Sequence, residues 1–277
     1  MKDFSSDEFQ QSLKELDVYG YTHIKGLLNQ EEIDKYLQLI RCLYQDMRQR
    51  FSSGYEGGAD RDVDDMLIYN LQNKNIAFID LLSTKWVEEI AKEKLNDRYH
   101  RFLPDEDPNY IMMQFNARSS GSKLDLHIDS RVPYVGSHTI TMQFMFLLED
   151  MYETNGCTFV VPGSHNSGKY TDREMRNKVH VTGKAGDMIC WDSRIWHGAN
   201  ENNSGLTRWV IIATLGQWWI KPCFNIIESL PQEIYENLSN KQKALMGYCA
   251  IPPANEFQRV NKKQGYDFLK PKVEDYF

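Results

Sequence analysis

The sequence predicts a mainly β fold with flanking α-helices. The expected architecture is a double-stranded β-helix (jelly-roll or cupin-type barrel) with N-terminal helices packed on one sheet. Three observations predict it. Between Tyr110 and Ile220 the apolar period is two, as in strands. Turn signals recur there at Asn155-Gly156, Pro162-Gly163, Gly183, Ala185-Gly186 and Ser204-Gly205, which suits many short strands. The N-terminal third instead repeats at helical spacing.

In chain order, Ser5 to Val18 places Phe9, Leu13 and Leu16 on one helical face, and Gly20 stops the helix. Tyr21 to Ile24 reads as a short strand. Asn29 is the expected N-cap of a second helix, with Glu31 and Glu32 in its first turn. Its stripe runs Ile33, Leu37, Ile40, Leu43, Met47. Residues 51–65 are polar and rich in Gly and Asp, the composition of a loop and a candidate lid. Asp60, Asp62 and Asp64 alternate as calcium ligands do, but the Gly and Glu of an EF-hand loop are missing. Tyr110 to Arg118 then alternates, with Met112, Gln114, Asn116 and Arg118 on one face. Thr139 to Leu148 alternates too. Its apolar face is Ile140, Met142, Phe144 and Phe146, and its polar face is Thr139, Thr141 and Gln143. A sheet apolar outside and polar inside would hold a ligand in a barrel mouth. After Pro222 short helices are expected, one starting near Pro231 and the run ending at Pro252-Pro253. Residues 1–277 thus read as one domain: a helical scaffold over 1–105, a barrel core over 110–220 and a helical tail over 222–277.

Composition narrows the function. The chain has 32 basic and 39 acidic residues, interspersed, with a formal charge of −7. That balance disfavours a nucleic-acid partner, which usually meets a basic face. No run approaches the roughly 20 apolar residues of a membrane span, so no membrane partner is expected. The N-terminus lacks the apolar segment of a secretory leader. Five scattered cysteines without a Cys-x-x-Cys pair point to a reducing, cytoplasmic setting rather than a disulfide framework. Oligomeric state is not legible; Tyr266, Phe268, Tyr276 and Phe277 suit either internal packing or a dimer interface.

The chemistry-bearing residues are His127 and Asp129 in Leu-His-Ile-Asp, then His197, then Arg208. On a strand, positions two apart share a face, so His127 and Asp129 make half of a metal site. With His197 they form the two-His, one-carboxylate set of non-haem Fe(II) sites, which leaves coordination positions open. A chelating 2-oxo acid fits two of these and O2 the third. Its far carboxylate would be buried, and a buried carboxylate needs a partner. Arg208, on another apolar run, supplies a planar guanidinium for that purpose. Singly, each residue has a plainer reading: a chance His-x-Asp, a core histidine, a surface ion pair. It is the ordered set on expected strands that points to a metal centre. His23, His100, His138, His165 and His180 are read as structural or flanking.

The pieces that carry a family resemblance are Leu-His-Ile-Asp, then Asn-Gly-Cys-Thr-Phe-Val-Val-Pro-Gly-Ser-His over 155–165. Next come Gly-Asp-Met-Ile-Cys-Trp-Asp-Ser-Arg-Ile-Trp-His-Gly over 186–198, and Arg208. Together with the opening Tyr-Gly-Tyr-Thr-His-Ile-Lys-Gly-Leu-Leu, they resemble the phytanoyl-CoA dioxygenase family of Fe(II)- and 2-oxoglutarate-dependent oxygenases. The resemblance implies His127, Asp129 and His197 as iron ligands and Arg208 as the group on the distal carboxylate of 2-oxoglutarate. It implies Gln114 and Asn116 as further cofactor contacts, with Thr141 and Gln143 within reach by face. Relatives often carry Ser or Thr where this chain has Ala199, so one hydrogen bond to 2-oxoglutarate is missing or comes from elsewhere. Halogenating relatives lack the carboxylate that is present here as Asp129, so the implied reaction is hydroxylation or a related oxidation. O2 is consumed and 2-oxoglutarate goes to succinate and CO2, with ascorbate as an optional reductant. The substrate is a small molecule not named by the sequence, with a small polar or zwitterionic metabolite preferred. Arg118, Lys123, Arg131 and Tyr134 are its candidate contacts, and Trp191, Trp196, Trp218 and Trp219 are candidate walls. The competing readings are a cupin-type isomerase or dioxygenase that uses no 2-oxo acid, a ligand-binding barrel without turnover, and a protein or nucleic-acid hydroxylase.

Overall fold

The chain folds as expected where local chemistry decides. In the computed structural model, residues 1–50, 65–99, 103–104, 107–170 and 176–252 are described. Helix α1 (Ser6–Tyr19) starts on Ser5, whose hydroxyl accepts the Glu8 N–H at 3.4 Å. It stops at Gly20, which is left-handed (φ 83°). A Cβ there would lie 2.6 Å from His165 Nδ1, so both backbone and packing require glycine. Helix α2 (Gln30–Arg50) opens on a reciprocal cap. Asn29 Oδ1 accepts the Glu32 N–H and Glu32 Oε2 accepts the Asn29 N–H, each at 2.9 Å. The expected loop over 51–65 lies outside the described residues, apart from Asp65, and so do Asp60, Asp62, Asp64, His100 and the four tail aromatics.

Among the described residues ten strands form two antiparallel sheets. They are β1 (Tyr21–Ile24), β2 (Asp65–Tyr69), β3 (Ile111–Ser120), β4 (Leu124–His127), β5 (Thr141–Leu147), β6 (Thr158–Val160), β7 (Val179–Val181), β8 (Met188–Asp192), β9 (His197–Ala199) and β10 (Val210–Gly216). The larger sheet runs β1-β8-β5-β10-β3-β2 and the smaller β4-β9-β6-β7. This is the jelly-roll arrangement of a double-stranded β-helix. Helix α1 packs on β1 and α2 on β2, so helices cover the larger sheet at both edges. β2 and β6 are not marked out in the sequence as separate strands, and β6, like β7 and β9, has three residues, too few to display a period.

Contacts divide the chain into two compact units. One comprises Met1–Leu71 and Phe115–Ala213, the other Gln72–Gln114 and Thr214–Phe277. Residues 1–105 contribute to both units. In the first unit the core lies between the sheets, where Met145, Leu147, Ile189 and Trp191 meet Val160 and Val181. This corrects the expectation of a polar interior. On β5 the inward face starts polar at Thr141 and Gln143 but continues as Met145 and Leu147, and Met142, Phe144 and Phe146 on the other face are buried as well. Along β5 the polar part of the inward face is its start, and the rest is packed core.

The second unit contains α3 (Ile76–Leu82), α4 (Lys85–Leu95), α5 (Ile226–Ser229), α6 (Gln232–Asn237) and α7 (Asn240–Leu245). Pro231 is the N-cap of α6, as expected. Trp218 Nε1 donates to Asp97 Oδ2 at 2.8 Å, Lys241 Nζ pairs with Asp107 at 2.8 Å, and the Cys223 N–H donates to Met113 O at 3.0 Å. All five cysteines are free thiols. Among the described residues, no helix is long and apolar enough to cross a membrane.

Candidate metal centre

β4 and β9 pair so that His127 stands directly opposite His197. Residues opposite one another across a ladder share a face, and the two imidazole centroids lie 4.2 Å apart. Asp129 completes the group from just beyond β4, not from the strand as the sequence suggested. The strand ends at His127, and the chain turns because the Asp129 and Ser130 N–H groups both donate to Ser193 O at 2.9 Å. Asp129 Oδ1 lies 3.5 Å from His127 Nε2, and Oδ2 lies 3.4 Å from His197 Nε2. The ligand atoms of all three residues fall within 4.8 Å of one another, and among the described residues no other trio does this.

Each histidine has its other nitrogen committed. His127 Nδ1 is 2.8 Å from Asp125 O, and His197 Nδ1 is 3.0 Å from Ile195 O. A carbonyl only accepts, so each Nδ1 carries the proton and each Nε2 turns its lone pair to the centre. Cis ligands at about 2.1 Å from a metal are about 3 Å apart, close to the spacing found here. Two imidazoles, one carboxylate and no thiolate are the donors of a non-haem Fe(II) site with open positions. The residues present therefore fit iron.

The electrostatics agree. Asp129 stays ionised: burial opposes its charge, but His197, His127 and the nearby Trp191 indole outweigh it and hold the pKa below the ordinary value. The buried Trp191 Nε1 meets no acceptor in full hydrogen-bond geometry. Its ring centroid is 5.5 Å from that of His197, a role at the site that the sequence presented only as a wall or core residue. Burial pushes the His197 pKa down, and Asp129 does not fully offset it. For His127 burial also pushes down, yet the hydrogen bonds to Asp129 and Asp125 prevail and its pKa is raised. In the metal-free site His127 therefore holds a proton more readily than His197 does, and a metal must compete with it. We expect Co(II) to bind more weakly at about pH 6 than at about pH 8. A titration in which affinity does not change between the two would remove His127 from the ligand set.

The other expected residues divide. Arg208 is 3% exposed and stands just before β10 rather than on it. Its N–H donates to Ser119 Oγ at 2.8 Å, and its Nη1 lies 3.3 Å from Met151 Sδ. Cys157 lies near enough to feel its charge, although burial dominates and pushes that thiol up to about 11. Gln143 is buried and in register with Trp191, so it faces the side of the centre, with Thr141 two residues before it. Asn116 is buried on β3 and in register with Tyr69, and Gln114 is half-buried on the same strand face. Arg118 is half-buried, and its charge reaches His127. Lys123 pairs with Asp125 at 3.5 Å on the exposed rim. Arg131 is exposed and holds a left-handed backbone (φ 65°), costly for a residue with a side chain. Tyr134, expected at the substrate, is taken up by the fold. Its hydroxyl accepts the Ile140 N–H at 3.0 Å and its ring lies 4.3 Å from the Arg194 guanidinium. Ala199 is buried on β9, and Thr158 stands in register beside it on β6, also buried.

The family model for phytanoyl-CoA dioxygenase (PhyH) matches residues 16–210, which include the whole triad and Arg208. The chain belongs to the phytanoyl-CoA dioxygenase family. Among curated relatives, dioxygenase af480 of Aspergillus fumigatus is 22% identical over 254 residues, 88% of this chain and 78% of its own length. An uncharacterized protein of Mycobacterium tuberculosis is 27% identical over 136 residues, and this chain spans half of its length. Among solved structures, the non-haem α-ketoglutarate-dependent epimerase SnoN from nogalamycin biosynthesis aligns with a TM-score of 0.59. Its identity is 18%, with 79% of this chain and 87% of that one covered. HygX from Streptomyces hygroscopicus, solved with nickel and 2-oxoglutarate, aligns with a TM-score of 0.58 at 14% identity, covering 79% and 89%. These likenesses show a shared fold.

Proposed function

We propose that this protein is an Fe(II)- and 2-oxoglutarate-dependent oxygenase that hydroxylates an unactivated C–H bond of a small-molecule metabolite. The observation that carries this reading is the convergence of His127, Asp129 and His197, with both Nε2 lone pairs freed by backbone acceptors. When bound, iron with 2-oxoglutarate and O2 supplies the oxidising power, and 2-oxoglutarate leaves as succinate and CO2.

The protein's own residues then have separable tasks. His127, Asp129 and His197 would hold the metal. Arg208 takes the distal carboxylate of 2-oxoglutarate through its planar fork. Its burial keeps water from competing for that pairing. Gln143, Thr141, Asn116 and Gln114 are the polar groups proposed to orient the cofactor. Thr158, in register with Ala199, is the hydroxyl available where this chain has lost the usual one. Arg118 and Arg131 are proposed to face the substrate, and the burial around His197 and Trp191 shields the reacting atoms from solvent.

Anaerobic titration of the Fe(II)-loaded protein with 2-oxoglutarate tests the reading. A chelated 2-oxo acid gives a weak visible charge-transfer band that saturates. Iron binding with no band would exclude 2-oxoglutarate and favour a cupin-type enzyme of another kind. The Arg208→Ala variant should keep its iron and need far more 2-oxoglutarate for the same band. Removing one partner of a buried charged pair costs about 2–5 kcal/mol, roughly 30-fold to several-thousand-fold in affinity. Unchanged 2-oxoglutarate affinity would assign Arg208 a structural role. Transfer of one oxygen atom from labelled O2 into the product would distinguish hydroxylation from other oxidations.

A further inference from the structure

The turn between β8 and β9 touches the triad twice. Ser193 O accepts the N–H groups of Asp129 and Ser130, both at 2.9 Å. Ile195 O lies 3.0 Å from His197 Nδ1 and accepts its proton. One turn, Asp192 to Ile195, therefore holds the backbone of one ligand and the ring of another. It is closed by the Ile195 N–H donating to Asp192 O at 2.9 Å, and anchored by the Ser193 N–H donating to Thr141 O at 3.1 Å.

The shape of that turn is set by a buried ion pair. Asp192 Oδ1 accepts from Arg194 N and Nε, both at 2.9 Å. Asp192 Oδ2 accepts from Arg194 Nη2 at 2.7 Å and from Thr139 Oγ1 at 2.9 Å. The two residues are 4% and 3% exposed. Arg194 Nη1 donates onward to Gly136 O at 2.8 Å and to Tyr134 O at 3.4 Å, and the guanidinium lies over the Tyr134 ring. The same cation thus fixes the turn and the segment that follows Asp129. Lysine has neither the planar fork nor enough donors to do both.

Stability alone does not explain such a pair. Desolvating two charges cancels much of their attraction, and well-packed apolar residues in the same space are often as stable or more so. A pair bonded this fully supplies fixed geometry instead. We propose that Asp192 and Arg194 are positioning residues, a buried brace that presents Asp129 and His197 to the metal at the right separation. The inference rests on the reading of the triad as a metal centre.

The test is the double variant Asp192→Leu/Arg194→Met, which removes both charges together and leaves neither buried alone. Three measurements are made against wild type: thermal unfolding of the metal-free protein, Co(II) titration followed by its visible bands, and hydrogen exchange in the metal-free state. The expected result is a folded protein that binds Co(II) about 10- to 100-fold more weakly, the usual range for groups that orient ligands. Altered cobalt bands and faster exchange at the Asp129 and Ser130 amides should accompany it. A folded double variant with wild-type cobalt affinity and wild-type exchange at those amides overturns the proposal. If the double variant does not fold, Arg194→Lys is judged by the same readouts. It keeps the charge but not the reach to Gly136 and Tyr134. Failure of wild type to bind cobalt would count against the metal reading alone, because the metal-free exchange measurement still decides whether the brace acts on Asp129.

Discussion

Replacing Asp129 by alanine will leave a folded protein that no longer retains iron or turns over. The fold survives because what ties position 129 to the barrel is its backbone: the N–H donates to Ser193 O at 2.9 Å whatever the side chain. The side chain itself is only partly buried (27% exposed) and spends its oxygens on the two imidazoles. Alanine therefore removes a ligand without leaving a cavity in the core. The loss of affinity is large. A four-ligand structural zinc site is worth about 10–16 kcal/mol, roughly 2.5–4 per ligand, so one lost ligand corresponds to about 10²- to 10³-fold. Two remaining neutral imidazoles also lose the charge that favours a dication. Asp125 is the control, two residues before His127 and with its side chain 94% exposed. Asp125→Ala keeps the backbone carbonyl that orients His127 Nδ1, so it should bind iron as wild type does. Equilibrium dialysis of both variants, with circular dichroism as the check on folding, decides the matter. Iron retention by folded Asp129→Ala would remove the carboxylate from the site.

The residues that make this prediction possible were legible because their chemistry is uncommon and their order restrictive. A His-x-Asp, a later His on a strand and a buried Arg leave few alternatives in a β-rich chain. The caps were legible for a different reason. Asn29 and Gly20 act within a few residues of themselves, so the string holds their cause and effect together. What the string concealed is long-range. On β5, alternation is present, but both of its faces are buried, so the pattern cannot say which face lines the barrel or that Gln143 gives way to Met145. Asp129 leaves its strand because of a carbonyl far along the chain, and Tyr134 is claimed by Arg194 across a similar gap. Nothing near either residue announces it. Trp191 shows the same limit. Its bulk said core, and its closeness to Asp129 follows only from the β5–β8 register that brings it inward.

Gly198→Ala should do greater damage than any ligand substitution, although it touches no donor atom. Gly198 lies on β9 between His197 and Ala199, in register with Phe159 on β6. A Cβ built there falls 2.5 Å from Leu124 O and 2.5 Å from Phe159 Cζ, far inside contact distance. Neither neighbour yields easily. Leu124 O is backbone on β4, and the Phe159 side chain is buried on the strand to the other side. One of the two ladders that hold β9 must open. Opening β4–β9 separates His127 from His197, which are partners across that ladder. Overpacking of this kind costs about 1–3 kcal/mol when the core can relax, and here backbone is one of the clashing groups. For a domain of this size each kcal/mol lowers the unfolding midpoint by roughly 2–4 °C, so a fall of about 6 °C or more is expected, together with loss of metal affinity. Gly205→Ala gives the contrast. Gly205 has φ +72° but nothing within 4 Å of its Cβ, so only backbone strain applies, and metal affinity should be unchanged. Thermal unfolding and Co(II) titration of the two variants separate the causes. If Gly198→Ala unfolds and binds cobalt as Gly205→Ala does, then β9 has room to shift, and the register that joins the two histidines is less strict than the geometry requires.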